Sequence, residues 1–287
     1  MNKLILYTAG FALAGLLAAC SPLRIVNAVS PAGPVQAVTA LRYGSDARNM
    51  LDVYRPVSNA HKAPVIVFFY GGNWVSGERR DYAFVGRALA ARGFVVVVPD
   101  YRLYPQVRYP DFLVDSAGAV AWTAREIARY GGDPARIFVM GHSAGAYNAA
   151  MLALDPRWLA AQGMKPDMLR GWIGLAGPYD FLPVSNRTTQ PVFNAPDTPP
   201  DSQPLAHVSA SSPPALLIAA NKDKLVDPAR NTGGMAARLL AHHVPVRALY
   251  VDGVNHSTLV VSLSNSLKGL APTLDAVEAF VRSDGGR

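Results

Sequence analysis

An apolar, β-rich run, Ile137–Met140, meets the turn Gly141-His142-Ser143-Ala144-Gly145 and passes directly into a helical stretch beginning near Ala144. Few folds accept so abrupt a change of direction. The turn needs small residues at Gly141 and Gly145, because side chains there would collide with the neighbouring strand and helix. It also projects the Ser143 hydroxyl from the edge of a sheet. Serine is a weak nucleophile at neutral pH and has to be presented to both a base and a carbonyl carbon, which such a projection does. The following helix aims its N-terminal amides and the positive end of its dipole at the same place, favouring an oxyanion beside the Ala144 N–H.

Strand and helix patterns alternate through the rest of the chain, which predicts an α/β class with a mostly parallel central sheet and helices on both faces. Gln36–Tyr43 and Asn49–Tyr54 flank Gly44-Ser45-Asp46 as an opening hairpin, and Val65–Phe69 and Val95–Val98 read as strands buried on both faces. Helical spacing covers Asp81–Arg92, ended by Gly93, and Asp111–Tyr130, ended by Gly131-Gly132. Later strands are expected at Trp172–Leu175, Ala215–Ala219 and Arg247–Val251, and later helices at Ala229–His242 and Leu274–Arg282. With 287 residues, 50% of them hydrophobic, one domain over residues 36–287 holds all of these elements. Residues 178–214, rich in Pro, Asn, Asp and Thr, are too long for an ordinary connection and are expected to form a short cap-like excursion over the sheet's working edge.

A charge balance of 27 Lys and Arg against 20 Asp and Glu gives +7, which raises the question of nucleic acid. The basic residues are scattered, with Arg79-Arg80 the densest pair and no aromatic-interleaved stripe, so a phosphate track is not expected. The single cysteine excludes an internal disulfide and a Cys-based metal cage. Its position carries information: Met1-Asn2-Lys3 is a basic start, Leu4–Ala19 an almost unbroken apolar run, and Leu17-Ala18-Ala19 precede Cys20. This resembles a bacterial lipoprotein signal, which implies that residues 1–19 are removed and that Cys20 is acylated, tethering an exported protein to the cell envelope. Ser21 is similar to the residue that follows the cysteine in outer-membrane sorting. The competing reading is an uncleaved anchor, although the run is short for a spanning helix of ~20 residues. Residues 20–35 then read as a tether.

A second constellation, Tyr70-Gly71-Gly72-Asn73-Trp74, follows the strand Val65–Phe69, where a tight glycine pair lets backbone N–H groups point inward. Together with Pro99-Asp100-Tyr101-Arg102-Leu103, Pro105, Gly131-Gly132-Asp133-Pro134, the serine turn and Asp223-Lys224-Leu225-Val226-Asp227, it resembles the α/β-hydrolase fold. Within that fold the chain is similar to carboxylesterases of the hormone-sensitive-lipase, kynurenine-formamidase and isoprenylcysteine-methylesterase type, over about Val35–Arg282. The resemblance implies that the backbone N–H groups of Gly72, Asn73 and Ala144 form the oxyanion hole. Tyr70 departs from it, since many of these enzymes carry His before the glycines, and this leaves open how the loop is braced.

The fold's triad runs Ser, acid, His, so the base lies beyond the acid, after a late strand. His61, His142 and His207 come too early, His242 and His243 sit at a helix end before the last strand, and His256 follows Arg247–Val251. For the acid, Asp223 matches the first Asp of the family's D-x-L-x-D pattern, whereas Asp227, next to Pro228, resembles a helix N-cap. The expected chemistry is two-step acyl transfer through Ser143, His256 and Asp223, with a small-molecule ester as substrate and neither metal nor organic cofactor. Trp74, Tyr101 and Tyr104 are candidate pocket residues. An aryl formamidase or a small serine peptidase shares the same triad, and a non-catalytic envelope binding module is a third reading.

Overall fold

The computed structural model describes residues 22–31, 33–57 and 62–286. The expected signal at 1–19 and the lipidation site Cys20 lie outside these residues.

Eight strands form one sheet: β1 Val35–Arg42, β2 Met50–Pro56, β3 Ala63–Phe69, β4 Val95–Pro99, β5 Gly132–His142, β6 Leu169–Leu175, β7 Ala215–Ala220 and β8 Val246–Val251. Their spatial order is β1-β2-β4-β3-β5-β6-β7-β8. The β1–β2 pair is antiparallel, as the opening hairpin predicts, β2–β4 is antiparallel as well, and all others are parallel, as the later alternation predicts. Every residue of β4 and β7 is buried, and β3 and β6 each leave one position partly open. The continuous apolar runs are therefore strands covered on both faces.

The strand order places the site. The chain leaves β3 to build β4 on one side of it and later adds β5 on the other side, with Phe69 level with Gly141. Connections diverge at such a reversal, opening a crevice at the carboxyl ends of the two strands. The Gly71–Trp74 loop follows β3 and Ser143 follows β5, so both sit at that crevice. Asp223 and His256 follow β7 and β8, parallel neighbours on the same edge.

Three expected elements differ in detail. The Asp111–Tyr130 helix is α-helical only to Glu126 and tightens into a 3-10 turn over Ile127–Tyr130, capped by Gly131 in the left-handed region. Arg79–Tyr82 is likewise a 3-10 turn, leading into the helix Ala83–Ala91. The Ala229–His242 pattern opens with a π turn, Ala229–Gly233, before the α-helix Gly234–Ala241.

The expected tether needs a larger correction. Residues Pro22–Val29 form a helix that packs Leu23 and Val26 on the core. Asn27 Nδ2 donates to the carbonyls of Arg80 and Asp81, at 2.8 and 2.9 Å, and its Oδ1 accepts from the Phe84 N–H at 2.7 Å. Asn27 thus caps, from a distant part of the chain, the N-terminus of the helix Ala83–Ala91, whose first N–H groups have no partner of their own. Arg87 Nη2 returns a hydrogen bond to the Asn27 carbonyl at 2.8 Å. Of the residues whose composition suggested a free linker, Pro22 opens this helix, and Pro31, Gly33 and Pro34 lie between the helix and β1.

Candidate active site

Ser143 has φ 55° and ψ −123°, a backbone conformation that a residue with a side chain holds only when its surroundings enforce it. They do. A Cβ on Gly141 would lie 2.1 Å from the Gly145 carbonyl oxygen, and one on Gly145 would lie 2.1 Å from the Phe69 carbonyl oxygen. Strand, turn and helix therefore meet backbone to backbone, and the Ser143 N–H is fixed to the Leu175 carbonyl of β6 at 2.9 Å. The helix Ala144–Leu154, buried along its whole length, starts at once.

Ser143, His256 and Asp223 come together and all three are buried. His256 Nε2 lies 2.8 Å from Ser143 Oγ, and its Nδ1 lies 2.7 Å from Asp223 Oδ2. Oδ1 of Asp223 accepts from the N–H groups of Leu225, at 2.8 Å, and Val226, at 3.1 Å. Burial pushes the Asp223 carboxyl up, but the hydrogen bond and charge of His256 and these two amides outweigh it and hold the group below its ordinary value. It is an anion built to keep one imidazole tautomer. Asp227 is turned elsewhere, its Oδ1 capping the N–H groups of Ala229 and Arg230 at 2.9 and 3.0 Å. The geometry thus separates the two carboxylates as the capping argument from sequence does.

His256 opens the short helix His256–Val261 instead of standing in a loop. Asn255 caps it: its Oδ1 accepts from the N–H groups of Ser257 and Thr258, both at 3.0 Å, while Thr258 Oγ1 accepts from the Asn255 N–H at 2.7 Å. The neighbouring His142 is buried, with Nε2 2.8 Å from the His256 carbonyl oxygen. Since a carbonyl only accepts, Nε2 carries the proton. Burial, and then the proximity of His256, lower the His142 pKa to about 3, so it is a neutral strut between the serine turn and the His256 backbone.

The loop after β3 holds Gly72, Asn73 and Trp74 at positive φ, 133°, 54° and 58°. The N–H groups of Gly72, Asn73 and Ala144 find no carbonyl partner among the described residues, and all three residues line the same cavity as Ser143. An oxyanion facing them would supply the missing acceptor. The loop is braced through Tyr70, the residue that departs from the family pattern. Tyr70 Oη donates to Asp100 Oδ1 at 3.0 Å and accepts from Arg48 Nη2 at 2.8 Å. Arg48 also reaches the carbonyls of Gly77 and Tyr101, both at 2.9 Å, tying the far end of the loop to the hairpin. Beneath lies Arg79, paired with Asp52 at 2.9 Å and with Asp100, all three buried.

A cavity of about 300 Å³ opens at Ser143. Trp74 lines it, and Phe181, Val184 and Thr189 bring the 178–214 excursion to its wall. Tyr101 and Tyr104 do not line it. Tyr101 is fully buried, stacked on Tyr70 at 4.8 Å, with its hydroxyl donated to the Tyr70 carbonyl at 2.7 Å. Tyr104 is half-buried beneath the Arg108 guanidinium. Both aromatics serve packing, one under the loop and one beside it. Asn148, which sequence reasoning passed over, is fully buried in the helix after Ser143 and accepts the Trp74 indole N–H at 2.9 Å. A polar residue four places into an otherwise apolar helix is the signal that could have found it. Among the described residues, no three His, Cys, Asp or Glu side chains group as a metal ion would require.

The sequence model of the BD-FAE family matches residues 51–233. A probable isoprenylcysteine alpha-carbonyl methylesterase of Oryza sativa subsp. japonica is 36% identical over 158 residues, 51% of this chain and 36% of the rice protein. Esterase LipC of Mycobacterium tuberculosis is 30% identical over 260 residues, 83% of this chain and 63% of LipC. The chain therefore spans only part of the length of these relatives. Esterase B from Lactobacillus rhamnosis, solved with a tributyrin phosphonate, superposes with a TM-score of 0.78 at 18% identity, covering 99% of this chain and 96% of that one. At that identity the likeness concerns the fold, and it is the α/β-hydrolase fold that the spaced motifs predict.

Proposed function

The chain belongs to the BD-FAE family, and from that premise we propose that it is a serine carboxylesterase hydrolysing small to medium carboxylic esters. The observation that carries the reading is the relay of Ser143, His256 and Asp223, with contacts of 2.8 and 2.7 Å, beside free N–H groups. His256 Nε2 takes the Ser143 proton as Oγ bonds to the ester carbonyl carbon, and the carbonyl electron pair moves onto oxygen, facing the N–H groups of Gly72, Asn73 and Ala144. Asp223 stays ionised and holds Nδ1–H. The bond to the leaving oxygen then breaks and that oxygen takes the proton from Nε2. Water repeats the sequence on the acyl enzyme, releasing the acid and restoring Ser143.

Parallel assays on p-nitrophenyl esters, an aryl formamide and short peptides, with phosphonate labelling followed by peptide mass mapping, test the reading. Ester turnover with the label on Ser143 is the expected result. Dominant formamide or peptide turnover would move the protein to those classes, and neither turnover nor labelling would leave a ligand-binding module.

We also propose export and attachment to the envelope membrane through an acylated Cys20, which the basic start, the apolar run 4–19 and the small residues before Cys20 support. No helix among the described residues is long and apolar enough to cross a membrane. Cys20→Ser is expected to shift the protein from the membrane to the soluble fraction. Undiminished membrane retention would favour an uncleaved anchor instead.

A further inference from the structure

A tetrahedral carbon on Ser143 carries four groups, and chemistry assigns their directions. One is Oγ itself, one is the oxyanion facing the loop amides, and the leaving oxygen has to lie by His256 Nε2, its proton donor. The acyl substituent is then directed away from His256. Leu225, Val226 and Ser257 adjoin Asp223 and His256, and Leu225 is 72% exposed, so the leaving-group side runs out to solvent. Trp74 and Phe181, stacked on each other at 6.5 Å, also line the cavity and adjoin neither Asp223 nor His256 along the chain.

Nothing yields behind Trp74. Its ring stacks on Phe112 at 5.6 Å and meets Phe193 and Tyr147 edge-on at 4.8 and 5.1 Å, all three buried. Its indole N–H is held by Asn148, whose own Nδ2 donates to Ser116 Oγ at 3.2 Å. A buried indole whose N–H has a fixed partner cannot swing aside without orphaning both groups. We propose that Trp74 is the end wall of the acyl arm and sets the longest acyl chain the site accepts. The inference rests on the esterase reading and names the part of the substrate that this residue selects: a short acyl group, with the alcohol left free to be large.

Replacing the indole by a methyl vacates a space on the order of 150 Å³, the size of an apolar cavity that stays dry and admits an apolar guest. Each methylene buried there is worth about a fourfold gain in kcat/KM. The test is kcat/KM of the full chain and its variants on p-nitrophenyl acetate through decanoate. In Trp74→Ala the octanoate-to-butyrate ratio is expected to rise about 250-fold over wild type, four methylenes at about fourfold each, and in Trp74→Phe by less in the same direction. Phe181→Ala, which opens the arm from the half-buried side, supplies the answer should Trp74→Ala not fold by circular dichroism. An unchanged ratio in folded variants overturns the proposal, as does a shift that follows the alcohol at fixed butyrate. A wild type without ester turnover removes the esterase reading, and this inference with it. That outcome is distinct from one in which wild type and variants turn esters over with one profile.

Discussion

Ser143→Ala and His256→Ala are each expected to lower kcat/KM on a short p-nitrophenyl ester by about 10⁴-fold or more, with the double variant little worse than either, because in the proposed relay nucleophile and base act as a unit. Asp223→Asn falls by roughly 10³ to 10⁴, since an amide in place of the carboxylate removes the charge that pairs with an imidazolium and can leave Nδ1 without its proton. Asp227→Asn stays within a few-fold of wild type, as its carboxylate only caps the N–H groups of Ala229 and Arg230. Steady-state kinetics on these five variants decide the matter. A silent Asp223→Asn beside a dead Asp227→Asn would exchange the two assignments, and equal rates throughout would sink the relay.

The second large effect is on stability. Arg79 is buried between Asp52 and Asp100, and its own backbone N–H donates to Asp100 Oδ1 at 2.6 Å. Arg79→Met removes the cation, leaves the buried Asp52 carboxylate without an ion-pair partner and leaves Asp100 only Arg48, 3.8 Å away, a loss of about 3 to 5 kcal/mol. Asp100 also holds Tyr70, so the loop before Trp74 loosens as well. Urea unfolding of the two proteins at neutral pH reads the loss as a lower midpoint. The Arg24 pairs with Glu78 and Asp81 provide the comparison: Arg24 lies open to solvent, and Arg24→Ala should leave the midpoint almost unmoved. If Arg79→Met were equally harmless, the buried network would not be what secures the loop.

What the sequence makes legible is whatever chemistry is written over a few adjacent residues. The serine turn needs its glycines within the same five positions as its nucleophile, and Asp227 declares itself a cap through Pro228. Strand runs such as Val95–Val98 are continuous because both faces are covered, so their burial can be read from composition. What is hidden depends on partners far along the chain. Arg48 lies in the turn of a hairpin, and nothing local says that it clasps Tyr70 and Gly77, which are 22 and 29 residues away. Asn27 looks like a linker residue until Phe84 is seen to need a cap. Residue type also hides direction: Trp74 and Tyr101 are both large aromatics after strands, yet one faces the cavity and the other packs beneath the loop, and only the folded sheet decides which.

The docked helix Pro22–Val29 also bears on reach. A linker of some fifteen flexible residues would let a tethered enzyme sample a hemisphere about 20 Å in radius. With Asn27 locked to the body of the domain, only Ser21 separates Cys20 from the start of the helix, a span of roughly 7 Å at full extension. An acyl group at Cys20 would therefore act less as a leash than as a hinge pin. It would hold one side of the domain flush with the bilayer and fix which substrates, those in the membrane plane or those in the space beside it, the cavity at Ser143 can meet.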